Sequence, residues 1–539
     1  NIERDLKVRG PDDKKKILHQ NNTLLYFRRL SIIDLDNSAN QPFEIDEFLI
    51  LFNGEVYNHL ELKNTFLKDQ NFKTNSDTEV VIRLFIKLGV EAFKKLSGIY
   101  AITIFNKISD EIIIYRDPFG IKPLYYYRSG NKLIISSQSK IVNKIINNEI
   151  DLQSKEIFNF FGNIISNHKI YKNIYSFQQG KVYKFKKNLD LNILSLENIF
   201  DQNFFIESTN ESNVRESLYH SINENFVSDV EVSVLYSSGY DSNIIVENIP
   251  EGNQLKLFTI STEFNNDKQN EIINSKKLNK FHSHTHITHN FKKEEISSLN
   301  KFFFNSMDQP TIDGLNTFLV SNLIKKNSIK VALSGVGGDE YFGSYDTFKI
   351  IPFLMAFNKI FDSFKLKNFI INILCKVNKF SKLQLLKSYE TNLRNLYLIK
   401  RGVKSNAIVY KKFIEALEDK KIMNEIDEIL NLDCSDFLKI SLLELKFYCK
   451  DRLLRDVDWA GMANSIEIRV PFLNKDFHKN ICTLNKDGKK LSKSDIIKNS
   501  NLKKILKNIK KQGFYVPYLS NNQKILNAEN YSKFVLENF

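Results

Sequence analysis

The chain has 539 residues, 42% of them hydrophobic, which is enough for two to four domains with real cores and does not fit global disorder. Its formal charge of +14 comes from lysines scattered among Asn, Ile and Phe, so it reads as a solvated surface and not as a nucleic-acid or membrane face. Four cysteines with no C-x-x-C pair, no apolar run of spanning length and no signal-peptide shape fit a reduced, cytoplasmic protein.

Residues up to about 195 read as β-rich. "EFLILFNGEVYN" (47–58) predicts a strand that ends in an Asn-Gly turn. "DTEVVIRLFIKLG" (77–89) has helical periodicity behind Asp77, a good N-cap residue. "GIYAITIFN", "EIIIYRD" and "KLIISSQ" are further strands. A polar, turn-rich break follows near 195–212. Beyond it the period changes: "VRESLYHSINENF" (214–226) is an amphipathic helix, "VEVSVLY" (230–236) a strand, and a helix restarts at Asp241. "LKLFTIST" (255–262) and "IKVALSG" (329–335) are further buried strands, and alternating strands and helices argue for a parallel sheet covered on both faces. From about 350 the pattern is mostly helical.

Two strand ends carry chemistry. "VLYSSGYDSN" (234–243) is a strand, a small-residue turn and a new helix, an arrangement whose backbone N–H groups can cradle phosphate and whose Asp241 can hold magnesium. Alone it is equally a plain strand-to-helix turn. "VALSGVGGDEYFGSY" (331–345) repeats the pattern with Asp339 and Glu340, and two such loops at parallel-strand ends can share one nucleotide and its metal.

These loops resemble the pyrophosphate loop and the downstream Ser-Gly loop of glutamine-dependent asparagine synthetases. "RGPDD" (9–13), "RRLSIIDLD" (28–36), "FNGEVYNHLEL" (52–62), "SDTEV" (76–80) and "RDPFGIKPLYY" (116–126) resemble that family's glutaminase domain, and "MANSIEIRVPFLN" (462–474) and "KQGF" (511–514) its synthetase domain. The resemblance implies two domains: an N-terminal αββα sandwich of the N-terminal-nucleophile type at 1–195, and a doubly wound parallel α/β ATP-pyrophosphatase domain with a helical extension at 210–525. It implies a glutaminase that releases ammonia, a tunnel, and a synthetase that adenylates a carboxylate with ATP and Mg²⁺ for ammonia to attack. Glutamine, ATP and aspartate or another carboxylate are the expected partners, with no nucleic acid or membrane, and a homodimer is the expected assembly.

By the same resemblance Arg29 grips the glutamine α-carboxylate, as a planar bidentate cation can, and Asp77 pairs with the α-amine. Leu30, Ile32, Ile33 and Glu55 complete the glutamine pocket. Asn53 and Gly54 form the oxyanion hole, one by side-chain amide and one by backbone N–H. For ATP the resemblance assigns Tyr236, Ser237, Ser238, Gly239, Asp241 and Ser242, together with Ile260, Ser334 and Gly335. Asp241 and Asp339 take the metal, and Lys511 steadies the acyl-adenylate.

The chain also departs from the family. The family's nucleophile is an N-terminal cysteine, whereas this sequence begins at Asn1 and has no cysteine before Cys375; the family's strand and helix ahead of Arg9 are absent. Either the sequence is a piece of a longer protein or the glutaminase is lost; the retained glutamine-gripping residues favour the first, and the chain as it stands is expected not to hydrolyse glutamine. Ser238 replaces a usual glycine. Val336 replaces a usual acid, and "DQPTIDGLNTFLVS" (308–321) and "LLRDVDWAGMANS" (453–465) resemble a branch associated with surface polysaccharides, so a sugar uronic acid is an alternative acceptor, and a non-catalytic member of the fold a further alternative. "HSHTHITH" (282–289) would put His282, His284 and His286 on one face of a strand, but no acid or cysteine at ligand spacing supports a zinc reading. The basic "KILKNIKKQ" segment reads as a solvated helix face.

Overall fold

The computed structural model describes residues 2–539 apart from 21, 166–168, 251, 253, 264–270, 365–370, 372–377, 418–419, 487, 510–517, 521–522 and 526–527. The N-terminal half is built in four layers. Its centre is a six-stranded antiparallel sheet containing β3 (Phe43–Ile45), β4 (Phe48–Val56), β5 (Gly98–Asn106) and β6 (Ile112–Arg116). Helix α3 (Asp77–Leu88) lays Val80, Val81, Leu84 and Phe85 on one face, against Ile50, Phe52, Ile102 and Ile104. The opposite face carries two smaller sheets. One is the hairpin of β1 (Asp13–His19) and β2 (Thr23–Arg29), which covers Leu49 and Phe105 through Leu25. The other contains β7 (Tyr125–Ser129) and β8 (Lys132–Ser136), with helix α4 (Ser139–Ile146) outside it. This is the expected αββα sandwich, and it follows from strands such as β5 whose both faces are buried.

Three local expectations are corrected. The Asn53-Gly54 pair does not turn the chain; β4 continues through it to Val56, with Gly54 opposite Tyr100. Gly54 has φ +127° and a Cβ there would lie 1.9 Å from the Ile99 carbonyl oxygen, so the glycine serves close strand approach instead of reversal. The N-cap of α3 is Ser76, whose hydroxyl accepts the Glu79 N–H at 3.3 Å, and Asp77 is thereby free to accept the Val56 N–H at 2.9 Å. A short helix, α1 (Ile2–Lys7), does precede Arg9.

The second half is a five-stranded parallel sheet in the order β14 (Thr285–Phe291), β13 (Lys256–Thr262), β12 (Val232–Leu235), β15 (Val331–Leu333), β16 (Glu467–Arg469). The chain leaves β12 towards β13 and β14, then returns to lay β15 on the other side of β12. The crevice at such a reversal is where open parallel sheets bind ligands. Buried charge ties the halves together: Arg9 grips Asp458 with two bonds of 2.7 and 3.1 Å, and Lys122 meets Glu467 at 2.8 Å. Among the described residues no helix is long and apolar enough to cross a membrane.

Candidate active site

The residues read as a glutamine pocket come together. Arg29, Leu30, Ile32, Ile33, Asn53, Gly54, Glu55 and Asp77 all line one cavity of ≈ 680 Å³ between the β1–β2 hairpin and the β7–β8 sheet. The side-chain NH₂ of Asn53 is buried there without a hydrogen-bond partner among the described residues, so it is a donor held ready for an acceptor. Arg29 lines the cavity and also braces the chain. Its guanidinium donates to the carbonyls of Asp36 and Ile33 at 2.9 and 3.1 Å and to Asp34, so it braces the loop after β2. Burial pushes the Asp77 and Glu55 carboxyls up, and for Glu55 the neighbouring Asp77 and Glu467 add to it. Glu467 is the residue that sequence reasoning missed here: β16 of the other domain delivers it to the wall of this cavity. Burial acts on Glu467 as well, but Lys122 and Arg469 hold it below the usual range.

The two phosphate-type loops also meet, because β12 and β15 are hydrogen-bonded neighbours running the same way. After β12 the turn is tightly self-braced. Ser242 Oγ accepts the Ser237 N–H at 3.0 Å and donates to the Ser237 carbonyl at 2.8 Å. Asn243 donates to the Gly239 carbonyl at 2.7 Å and accepts the Tyr236 hydroxyl at 2.9 Å. After β15, Gly335 and Gly338 press on Asp241: a Cβ on Gly335 would lie 2.6 Å from Asp241 Cβ, and one on Gly338 2.2 Å from Asp241 Oδ1. Only glycine permits that approach, and it brings Asp241 and Asp339 onto a single cation. The Lys493 ammonium lies 2.6 Å from Asp241 and also bonds Asp339. All three side chains are largely buried. Two adjacent carboxylates already arranged around a cation suit a divalent metal on phosphate oxygens.

Lys493 was not legible in the sequence, where it sits among other lysines. The one local signal is the Ser492–Asp495 capping box that starts a helix at Lys493. Glu340, beside Asp339, is pushed up to about 7 by burial and then by Asp339. Ile260 is buried at the end of β13, and the Ser334 N–H donates to the Arg469 carbonyl at 2.8 Å. Lys511 lies outside the described residues. The histidines do not form a metal site. His282 and His284 precede β14, His282 bonds Asn243 at 3.0 Å, and His286 bonds Thr259 at 2.8 Å. Burial lowers His282 and His286 to about 4, so both are neutral. No group of three or more metal-ligating side chains occurs among the described residues. Helix Ser500–Asn508 buries Leu502 and Leu506 and leaves most of its lysine face to solvent.

Comparison with known proteins agrees with both halves. Residues 1–191 match the family model of a glutamine amidotransferase domain, and residues 213–517 match that of asparagine synthase. Asparagine synthetase (glutamine-hydrolyzing) 1 of Bacillus subtilis is 29% identical over 493 residues, 87% of this chain and 74% of its own length. A Methanocaldococcus jannaschii protein with the provisional name asparagine synthetase (glutamine-hydrolyzing) 2 is 30% identical over 518 residues, 87% of this chain and 95% of its own. Asparagine synthetase B (glutamine-hydrolyzing) of Escherichia coli is 27% identical over 374 residues, 65% of this chain and 62% of its own. With the asparagine synthase match spanning more than half of its length, the chain belongs to the asparagine synthase family, ligases of glutamine-dependent amide synthesis.

Proposed function

We propose that this protein converts aspartate into its side-chain amide, with ATP as the activating substrate and ammonia drawn from glutamine as the nitrogen donor. A carboxylate oxygen attacks the α-phosphorus and pyrophosphate leaves; ammonia then attacks the acyl carbon, AMP leaves and a proton is lost. The observation that carries this reading is the meeting of Asp241 and Asp339 on one buried cation beside an amide-lined turn. Asp241 and Asp339 would hold Mg²⁺, which when bound neutralises charge on the phosphate oxygens. The turn Ser237–Gly239 takes the pyrophosphate, and Ile260, Ser334 and Gly335 the adenylate. In the other domain Asn53 and Gly54 donate to the oxyanion that forms on the glutamine carbonyl, with Asp77 for the α-amine and Arg29 for the α-carboxylate.

A second acceptor is favoured by one observation. Val336 stands in the second loop where the family often has an acid, and this suits a carboxylate other than that of an amino acid, such as a hexuronic acid. The test supplies ammonium directly, so that it reports on the synthetase alone. With Mg-ATP, ammonium and aspartate we expect pyrophosphate release and asparagine by mass spectrometry. Release with a hexuronic acid and none with aspartate overturns the acceptor. No carboxylate-dependent release with either overturns the adenylation reading.

A further inference from the structure

The donors of the turn after β12 are engaged by side chains of the protein itself, and those side chains differ in kind. The Gly239 N–H donates to Ser237 Oγ at 3.2 Å and the Ser237 N–H to Ser242 Oγ at 3.0 Å. Both acceptors are neutral hydroxyls, which can rotate and offer a hydrogen to an incoming anion. Ser238 is different. Its N–H donates to one carboxylate oxygen of Glu271, and its hydroxyl donates to the other at 2.9 Å. Glu271 is the first residue of α8 (Glu271–Asn279), well outside the loop in sequence. Its charge extends into the site: the Tyr236 phenol is raised by burial first and by Glu271 next.

A carboxylate held through both oxygens by one N–H and one O–H takes the donors that a pair of phosphate oxygens would take. It also adds a negative charge to the turn that leads into Asp241, which shares the Lys493 cation with Asp339. We propose that Glu271 is a built-in competitor for pyrophosphate at this turn: the phosphate chain engages Ser238 by displacing the Glu271 carboxylate, which returns as pyrophosphate leaves. The proposal rests on the reading of the turn as the pyrophosphate site. It also gives Ser238 a use that glycine lacks, since its hydroxyl makes the second bond to the carboxylate. Glu271 therefore acts as a positioning residue that sets the strength of phosphate binding, and it needs no contact with the reacting atoms.

The experiment is titration calorimetry of the whole chain with Mg-pyrophosphate and with Mg-ATP, comparing wild type with Glu271→Gln, Glu271→Ala and Ser238→Ala. The amide of Glu271→Gln keeps the size but loses the charge, and a charged acceptor bonds about twice as strongly as a neutral one. We expect both Glu271 variants to bind pyrophosphate at least tenfold more tightly than wild type. Ser238→Ala keeps the N–H and should shift in the same direction by less. Urea midpoints equal to that of wild type show that the variants fold. Unchanged or weaker pyrophosphate binding in Glu271→Gln, with measurable binding in wild type, overturns the role of Glu271 alone. No binding of either ligand by any variant overturns the pyrophosphate-site reading and this proposal with it.

Discussion

Lys493→Met removes the cation between Asp241 and Asp339 and keeps most of the side chain's length. The ammonium lies 2.6 Å from Asp241, and the side chains of Lys493, Asp241 and Asp339 are only 9%, 10% and 17% exposed. Taking one partner from a buried ion pair costs about 3–5 kcal/mol, because the remaining charge has lost its compensation. Here two carboxylates lose the same partner, so a loss of that order is expected. If the two aspartates are a metal site, Mg²⁺ replaces the lost charge and restores most of the stability, since a ligand that binds only the folded state stabilises it in proportion to the logarithm of its concentration over Kd. The chain's single tryptophan, Trp459, is buried in the synthetase half, and its emission during urea unfolding reports on that half. We expect the variant without metal to unfold at clearly lower urea than wild type. Added Mg²⁺ should then move the variant's midpoint up much more than that of wild type. A variant that unfolds with wild type in the absence of metal, or equal Mg²⁺ effects on both proteins, refutes the reasoning.

Two other predictions follow from buried geometry. Asp456 accepts bonds from Trp459 and Thr311 at 2.8 and 3.0 Å, and burial, then the charge of Asp313, raises its carboxyl to about 8. Its folded value lies above the unfolded one, so its contribution is present in full below about pH 4 and is lost as pH rises through 8, about 6 kcal/mol at 1.36 kcal/mol per unit. Asp456→Asn should remove that slope in urea unfolding between pH 4 and 8; parallel curves would count against it. Gly338→Ala places a methyl 2.2 Å from Asp241 Oδ1 and should cut ATP-dependent pyrophosphate release at least tenfold, and a fully active variant would show that Asp241 needs no such fit.

Much of the site was legible because strand ends and small-residue turns are local patterns. The strands at 232–235 and 331–333, the turns behind them and the helix after Ser76 all depend on a few neighbouring residues. The misreading was also local. Asn53-Gly54 has the composition of a turn, yet the pairing of Gly54 with Tyr100 keeps it in a strand. Arg29 lines the cavity as the resemblance implied, but its bonds to carbonyls a few residues further on were not visible in the sequence.

The sequence by itself determined the alternation of strands and helices in each half and the two phosphate-type loops, since periodicity and turn chemistry are written in consecutive residues; the residues that would line a glutamine pocket came from the family resemblance of its motifs. Only the tertiary structure decided which groups meet. The order of the parallel sheet makes β12 and β15 neighbours and so brings Asp241 to Asp339. Lys493, 252 residues from Asp241, reaches both, and β16 carries Glu467 across to Lys122 of the other domain. Such partners are selected by burial, where a charge must find its opposite, and no local pattern in the chain specifies which opposite that is.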